Sequence, residues 1–215
     1  MKYTHCITLA ALLLTLFACR SGAKEPTAAQ ELYAMFESRE AADTIHLTLD
    51  SVENGSYPKI APKLFLEAID SSLYEKMIYM ADTFDFRAQV EWKIALDQDH
   101  DACLMRLFEN WWQFKYLLVY SRSTSNFVDL VPVAYLFGGD GGQVVGEGWL
   151  YDLETRPTIV IPQQEHQLRW LDFDAEEPEI INTRYISLLQ WVDGEFGVVP
   201  IQDTSQYIQI YPSVW

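Results

Sequence analysis

Between Phe86 and Leu96 the chain alternates almost without a break: Phe86, Ala88, Val90, Trp92, Ile94 and Leu96 are apolar, and Arg87, Gln89, Glu91, Lys93 and Ala95 fall between them. A period of two sustained over this length fits a half-buried antiparallel strand and does not fit an amphipathic helix, whose apolar positions recur every three to four residues. Beyond Leu96 the chain has the rhythm of hairpins. "DQDHD" (97–101) turns the chain, "ACLMRLF" (102–108) runs back, "EN" (109–110) turns again, and "WWQFKYLLVYS" (111–121) reads as a third strand. After the polar "RSTSN", the segment "FVDLVPVAYLF" (127–137) supplies another strand, with Pro132 marking an edge or a bulge because proline cannot donate to a ladder. Successive hairpins of this kind predict a meander.

Upstream the signals are different. Thr27 and Gln30 have capping-box spacing just after Pro26, and Leu32, Met35 and Phe36 then share one helical face, which predicts a helix of about four turns. From Asp43 the period becomes two, with Ile45, Leu47 and Leu49 inward and His46 on the polar side. Residues 58–83 read as helical once past the breakers Pro58 and Pro62, with Ser72 and Glu75 capping a turn that carries Leu73, Met77 and Met80. The fold class is therefore mainly β (α+β): a single globular domain over 27–215, with a helical part at 27–83 preceding an antiparallel β-meander at 84–215. Near the C-terminus Trp149, Trp170 and Trp191 recur every 21 residues, each opening a hairpin-like unit, with Ile159, Ile180 and Ile201 at equivalent offsets. Regular strand lengths in a meander, with the tryptophans packing on a common face, are the simpler account of this spacing, and a true repeat is the alternative. In the third unit, Asp193-Gly194 favours a tight primed turn.

The first residues carry a targeting signal. Lys2 is the only charge before Arg20, and "ITLAALLLTLFA" (7–18) is too short for the roughly 20 apolar residues of a spanning helix. Leu16, Phe17, Ala18 and Cys19 resemble the lipobox of bacterial lipoproteins. The resemblance implies a signal peptide over 1–18 and lipidation of Cys19, with a diacylglyceryl group on sulfur and an acyl chain such as palmitate on the new N-terminus. It also implies a lipidated tether over 19–26 and, since Arg20 rather than aspartate follows the cysteine, an outer-membrane destination in the cell envelope. Two or more acyl chains give an attachment that one alone does not. A signal peptide cut elsewhere and an uncleaved anchor are the alternatives.

Without residues 1–18 the chain keeps 14 basic and 31 acidic side chains, a net charge of −17. Such a surface repels phosphate backbones, so no nucleic-acid partner is expected, and it attracts a basic envelope protein over long range. Cys103 would be the one thiol left, placed in a strand as a small buried hydrophobe, so stability has to come from the core rather than from a disulfide.

Three stretches could carry chemistry. Asp97, Asp99 and Asp101 form D-x-D-x-D at a hairpin end, a partial match to Ca²⁺ loops; Ala102 stands where a glycine is normal and Phe108 where a bidentate glutamate is, so a solvated acidic turn is the simpler reading. "FGGDGGQVVGEGW" (137–149) has no lysine and leads into a strand rather than a helix, which argues against a phosphate cradle. It is read as an inter-strand loop with Asp140 at its tip and Glu147 between glycines, able to contact a partner. In "ENWWQF", Trp111 and Trp112 must face opposite sides of a strand, so one can be exposed to anchor a glycan or a protein. His166 has no second histidine at metal spacing, and the chain contains no G-x-S-x-G, H-E-x-x-H or C-x-x-C motif. The expected function is a membrane-anchored, non-catalytic binding module with an acidic surface and no required cofactor. A carbohydrate- or calcium-assisted ligand module, using the tryptophans and Asp97, Asp99 and Asp101, is the alternative, and an envelope-polymer hydrolase is the third.

Overall fold

The computed structural model describes residues 25–49, 57–78, 86–139, 141–169 and 177–211. The signal segment 1–18, Cys19, most of the tether, Met80, Asp140 and Trp170 lie outside the described residues. In chain order the elements are α1 (Ala28–Ala34), β1 (Glu37–Ser38), β2 (Thr44–Leu47), β3 (Lys59–Ile60), α2 (Pro62–Ala68), α3 (Ser71–Tyr74), β4 (Arg87–Ala95), β5 (His100–Glu109), β6 (Trp112–Ser121), β7 (Asn126–Gly139), β8 (Gly142–Gly146), β9 (Gly148–Tyr151), β10 (Thr158–Arg169), β11 (Glu179–Val192), β12 (Glu195–Val198) and α4 (Ser205–Ile210). Over the described residues the protein is mainly β: a curled, mostly antiparallel sheet of 12 strands. Its main order is β1-β4-β5-β6-β7-β8-β10-β11-β12, with β3 also on β4 and β2 against β9. The hairpins expected from Phe86 to Phe137 are present as β4 to β7, neighbours in chain order. Two departures break the simple meander. β9 leaves the main order to pair with both β10 and β2, and β1 lies parallel to β4.

Local chemistry explains the helices. The capping box exists as the spacing demands: Gln30 N–H donates to Thr27 Oγ1 and Thr27 N–H to Gln30 Oε1. α1 is nevertheless only 7 residues long rather than about four turns, because Glu37 and Ser38 are taken as a strand by Trp92 and Lys93 of β4. Pro62 opens α2 instead of breaking it; in the first turn its missing N–H has no intrahelical partner to lose. Asp70, not Ser72, caps α3, its Oδ1 accepting from Ser72 N–H at 2.9 Å.

The alternation of β4 does not put six residues on one face. The register shifts between Val90 and Trp92, a β-bulge with Glu91 as the extra residue. Val90 pairs with Met105 and Trp92 with Leu104, so the apolar set before the bulge and the set after it point to opposite faces of the sheet. Both faces are covered. On the Met105 side, Tyr33 of α1 stacks on Tyr120 with ring centroids 3.9 Å apart and donates to Asp101 Oδ2 at 2.6 Å. At the far end of the sheet the curl brings β12 back to β7, where the buried Asp129 accepts from Phe196 N–H at 2.8 Å, from Leu130 N–H at 2.8 Å and from Lys76 Nζ at 2.6 Å. Asp193 and Gly194 have φ of +52° and +98°, the left-handed pair that an Asp-Gly primed turn requires.

Candidate functional site

The bulge at Glu91 has an electrostatic consequence. Cross-strand neighbours Arg106 and Lys115 share a face, and Glu91 is turned onto it. Arg106 Nε donates to Glu91 Oε1 and Lys115 Nζ lies 3.0 Å from the same oxygen, with all three side chains about 5% exposed or less. The Arg106 guanidinium is also 4.8 Å from the centroid of the Tyr57 ring. A buried charge is tolerated only when paired and hydrogen-bonded, and here one carboxylate serves two cations. Lys115 carries the ribbon one step further, since its charge also acts on Glu147.

Glu147 sits between β8 and β9, flanked by Gly146 and Gly148. A Cβ on Gly146 would lie 2.5 Å from the Tyr135 ring, and one on Gly148 would lie 2.6 Å from the Val133 carbonyl oxygen. Only glycines allow the strands to approach closely enough to bury Glu147, which is 8% exposed. Burial raises its carboxyl above the ordinary range, and the charges of His46 and Lys115 offset this only in part. His46 Nε2 is 2.9 Å from Glu147 Oε2, and its imidazole stacks on Trp149, directly opposite it in the β2–β9 ladder, at 4.0 Å. Trp149 in turn packs on Tyr211 at 5.2 Å. The charged ribbon therefore ends at the surface in an aromatic run of His46, Trp149 and Tyr211.

Beside that run opens a cleft of about 470 Å³, bounded by Asp43, Tyr151, Asp152, Glu154, Thr155 and Tyr211 among others. Asp152 has φ of +58°, and its carboxylate accepts from Thr155 Oγ1 at 2.6 Å, which holds the turn after β9. Three carboxylates and two phenol rings around one concavity suit a cation, with Coulombic attraction from the acids and quadrupole attraction from the ring faces.

The D-x-D-x-D carboxylates do not converge. Asp97 Oδ1 accepts from the backbone N–H groups of Asp99 and His100, both at 2.7 Å, and its Oδ2 from Trp191 Nε1 at 3.1 Å. Asp99 accepts from Ser123 N–H and from the hydroxyls of Ser121 and Ser123. Asp101 receives Arg122 on both oxygens, at 2.8 and 2.5 Å, as well as the Tyr33 hydroxyl. Burial pushes the Asp101 carboxyl up, yet the Arg122 and Tyr33 hydrogen bonds and the Arg122 and Lys93 charges hold it below the ordinary range. Asp97 thus fastens its own turn and Trp191, while Asp99 and Asp101 both hold the 121–123 segment and Asp101 also holds Tyr33; among the described residues no group of three or more histidine, cysteine, aspartate or glutamate side chains is placed to hold a metal ion.

The other residues singled out by sequence occupy separate places. Trp111 is 51% exposed at the β5–β6 turn, while the half-buried Trp112 donates from Nε1 to the Gly138 carbonyl at 2.6 Å. Asp140 lies outside the described residues. The glycine-rich stretch is not a loop: apart from the turn, it is the end of β7, strand β8 and the start of β9. Cys103 is a buried free thiol whose pKa is pushed up by burial first and then by the Asp101 charge. His166 Nδ1 pairs with Asn182 Oδ1 at 2.8 Å on the exposed part of β10–β11. Sequence reasoning missed His46, Glu91, Arg106 and Lys115. For Arg106 and Lys115 a signal was present, since charged side chains inside otherwise apolar strand segments point to internal pairing; Glu91 stands at a polar position of a regular alternation and gave none. No family model matches this chain, and no curated protein or solved structure does so either.

Proposed function

We propose that this chain is a lipid-anchored, non-catalytic binding module of the bacterial cell envelope, tethered through Cys19 at the outer membrane, and that its partner is a basic protein. We also read the β domain as a meander curled so that its last hairpin returns to β7. The observation that carries the binding reading is the cleft beside His46, Trp149 and Tyr211, which offers Asp43, Asp152 and Glu154 together with two tyrosines to a cationic side chain. The net charge of −17 after removal of residues 1–18 supports it by adding a long-range attraction that steers a basic partner toward this surface.

The test is binding of a lysine- and arginine-rich peptide, followed by titration calorimetry in rising salt. Affinity falls steeply between about 50 and 300 mM salt as screening shortens the reach of the exposed charges. Combining Asp43→Asn, Asp152→Asn and Glu154→Gln weakens binding at least tenfold; asparagine tolerates the positive φ at 152, so the turn survives. Salt-independent binding, or an unchanged affinity in the triple variant, sinks the reading. For the anchor, Cys19→Ser releases the protein from membranes into the soluble envelope fraction.

Trp111 supports a second reading, a glycan-binding module, because its exposed indole offers a stacking face at the tip of a rigid hairpin. Loss of oligosaccharide retention in Trp111→Ala, with and without Ca²⁺, separates this reading and its calcium-assisted form from the first.

A further inference from the structure

The outer edge of β11 is open along more than half its length. β12 covers only Leu189 to Val192, and among the described residues no strand pairs with the side of Glu179–Ser187 that faces away from β10. Two hydrogen bonds fix the direction in which its backbone groups point. Val199 N–H donates to the Leu188 carbonyl at 2.8 Å on the outer side, and Trp191 N–H donates to the Pro157 carbonyl at 2.8 Å on the inner side. Backbone groups alternate in an antiparallel strand, so Ile180, Asn182, Arg184 and Ile186 direct both N–H and C=O outward. An edge of this length offers a ladder to an incoming strand.

The side chains on that edge form a pattern that is its own complement. Around Thr183 the sequence reads Ile180, Ile181, Asn182 on one side and Arg184, Tyr185, Ile186 on the other: two apolar, one polar, the centre, one polar, two apolar. Thr183 is also the midpoint of the open stretch Glu179–Ser187. We propose that this edge is an interface with a second copy of the chain, the two β11 strands pairing antiparallel about a two-fold axis at Thr183. The inference is independent of the cation cleft.

This register meets the requirement that outward-pointing residues face one another. Ile180 opposes Ile186 of the second copy and Asn182 opposes Arg184, each exchanging both backbone hydrogen bonds, while Ile181 meets Tyr185 and Thr183 meets itself. On both faces apolar side chains lie on apolar ones, which covers Ile180 and Tyr185, now 61% and 48% exposed. A shift by one residue would set inward-pointing backbone groups against outward ones. A shift by two would place Ile180 on Arg184 and Ile181 on Thr183. The pattern therefore selects one alignment and one partner, where a generic edge would take any extended peptide.

The experiment is oxidative crosslinking of the full-length chain, read on non-reducing gels against the wild type, whose own cysteines set the background. At the two-fold axis the two Thr183 Cα atoms form a non-hydrogen-bonded pair about 4.5 Å apart, within disulfide reach, so Thr183→Cys gives a covalent dimer. Ile180→Cys lies six positions from its counterpart, roughly 20 Å away, and gives none above background. Arg184→Pro removes an outward N–H that the β10 ladder does not use, and it shifts the sedimentation mass from dimer to monomer while the far-ultraviolet circular dichroism stays unchanged. A monomeric wild type overturns the proposal. So does a dimer that Thr183→Cys cannot lock, one that Ile180→Cys locks equally well, or one that survives Arg184→Pro.

Discussion

β5 and the first part of β11 are strands of similar length in one sheet, yet nine of the ten residues of β5 are buried and none of Glu179–Ser187 is. Apolar content does not account for the contrast, because "EIINTRYIS" carries three isoleucines and a tyrosine. Cover does. β5 has β4 and β6 on its edges, Tyr33 of α1 on one face and, on the other, the Tyr57 ring 4.8 Å from the Arg106 guanidinium. The distal β10–β11 hairpin has a strand on the β8 side and, among the described residues, little above or below. Burial in a sheet is decided by which elements return to lie over a strand, and the strand's own sequence only permits it.

Removing cover from the centre gives the largest effect. Phe114 is 1% exposed and packs between Tyr116 and Phe137, with both centroid distances 5.9 Å. Phe114→Ala loses about 4 kcal/mol in urea unfolding, the transfer and cavity terms together. Next comes the clamp that closes the curl. Asp129→Ala leaves Phe196 N–H without its acceptor and Lys76 without its carboxylate. It costs about 3 kcal/mol, at the low end for a broken buried pair because Lys76 is 42% exposed. Trp191 emission shifts to longer wavelength as the β11–β12 hairpin loosens. An unshifted Trp191 in a destabilised variant would mean that Asp129 supports β7 alone.

A third change separates charge from packing. Asp101→Asn keeps the volume but weakens the Arg122 and Tyr33 hydrogen bonds, costing about 2 kcal/mol at neutral pH. The native carboxyl is held below its ordinary value, so its contribution is complete above the unfolded-state pKa of about 3.9 and disappears as pH falls through the lower folded-state value. The gap between wild type and variant therefore closes on acidification, and urea midpoints at pH 7 and at about pH 2.5 measure it. A gap that stays constant would assign the effect to packing.

The same contrast explains how much of the molecule was legible in its sequence. The hairpins from β4 to β7 were readable because turn residues and period-two segments are local signals, as was the primed turn at Asp193-Gly194. The bulge at Glu91 was not, since an unbroken alternation gives no hint that the ladder skips a residue; the six apolar side chains predicted on one face divide between two. The spacing of Trp149, Trp170 and Trp191 favoured regular strand lengths over a true repeat. Ile159 is fully buried and Ile180, at the equivalent offset, is 61% exposed, so the offsets do not mark equivalent environments. The candidate site was the least legible element: Glu147 was singled out for its glycines, but its partner His46 is 101 residues away and meets it only through the β2–β9 pairing.

The smallest effect on stability belongs to the distal hairpin, and it tests the comparison from the other side. Leu168 pairs with Ile180 and is 39% exposed, with its N–H donating to the Gly141 carbonyl at 2.5 Å. Leu168→Ser keeps that backbone bond and removes a side chain already more than a third in water, so global stability changes by no more than about 1 kcal/mol. The consequence is local. If the hairpin opens without the rest of the sheet, the amides of Gln167 and Leu168 exchange through an opening far cheaper than global unfolding, and Phe114→Ala leaves their exchange rates unchanged while accelerating those of Met105 and Leu117. Should the four amides instead accelerate together in Phe114→Ala, the distal hairpin and the centre would form one cooperative unit, and exposure would have ceased to be a guide to stability in this sheet.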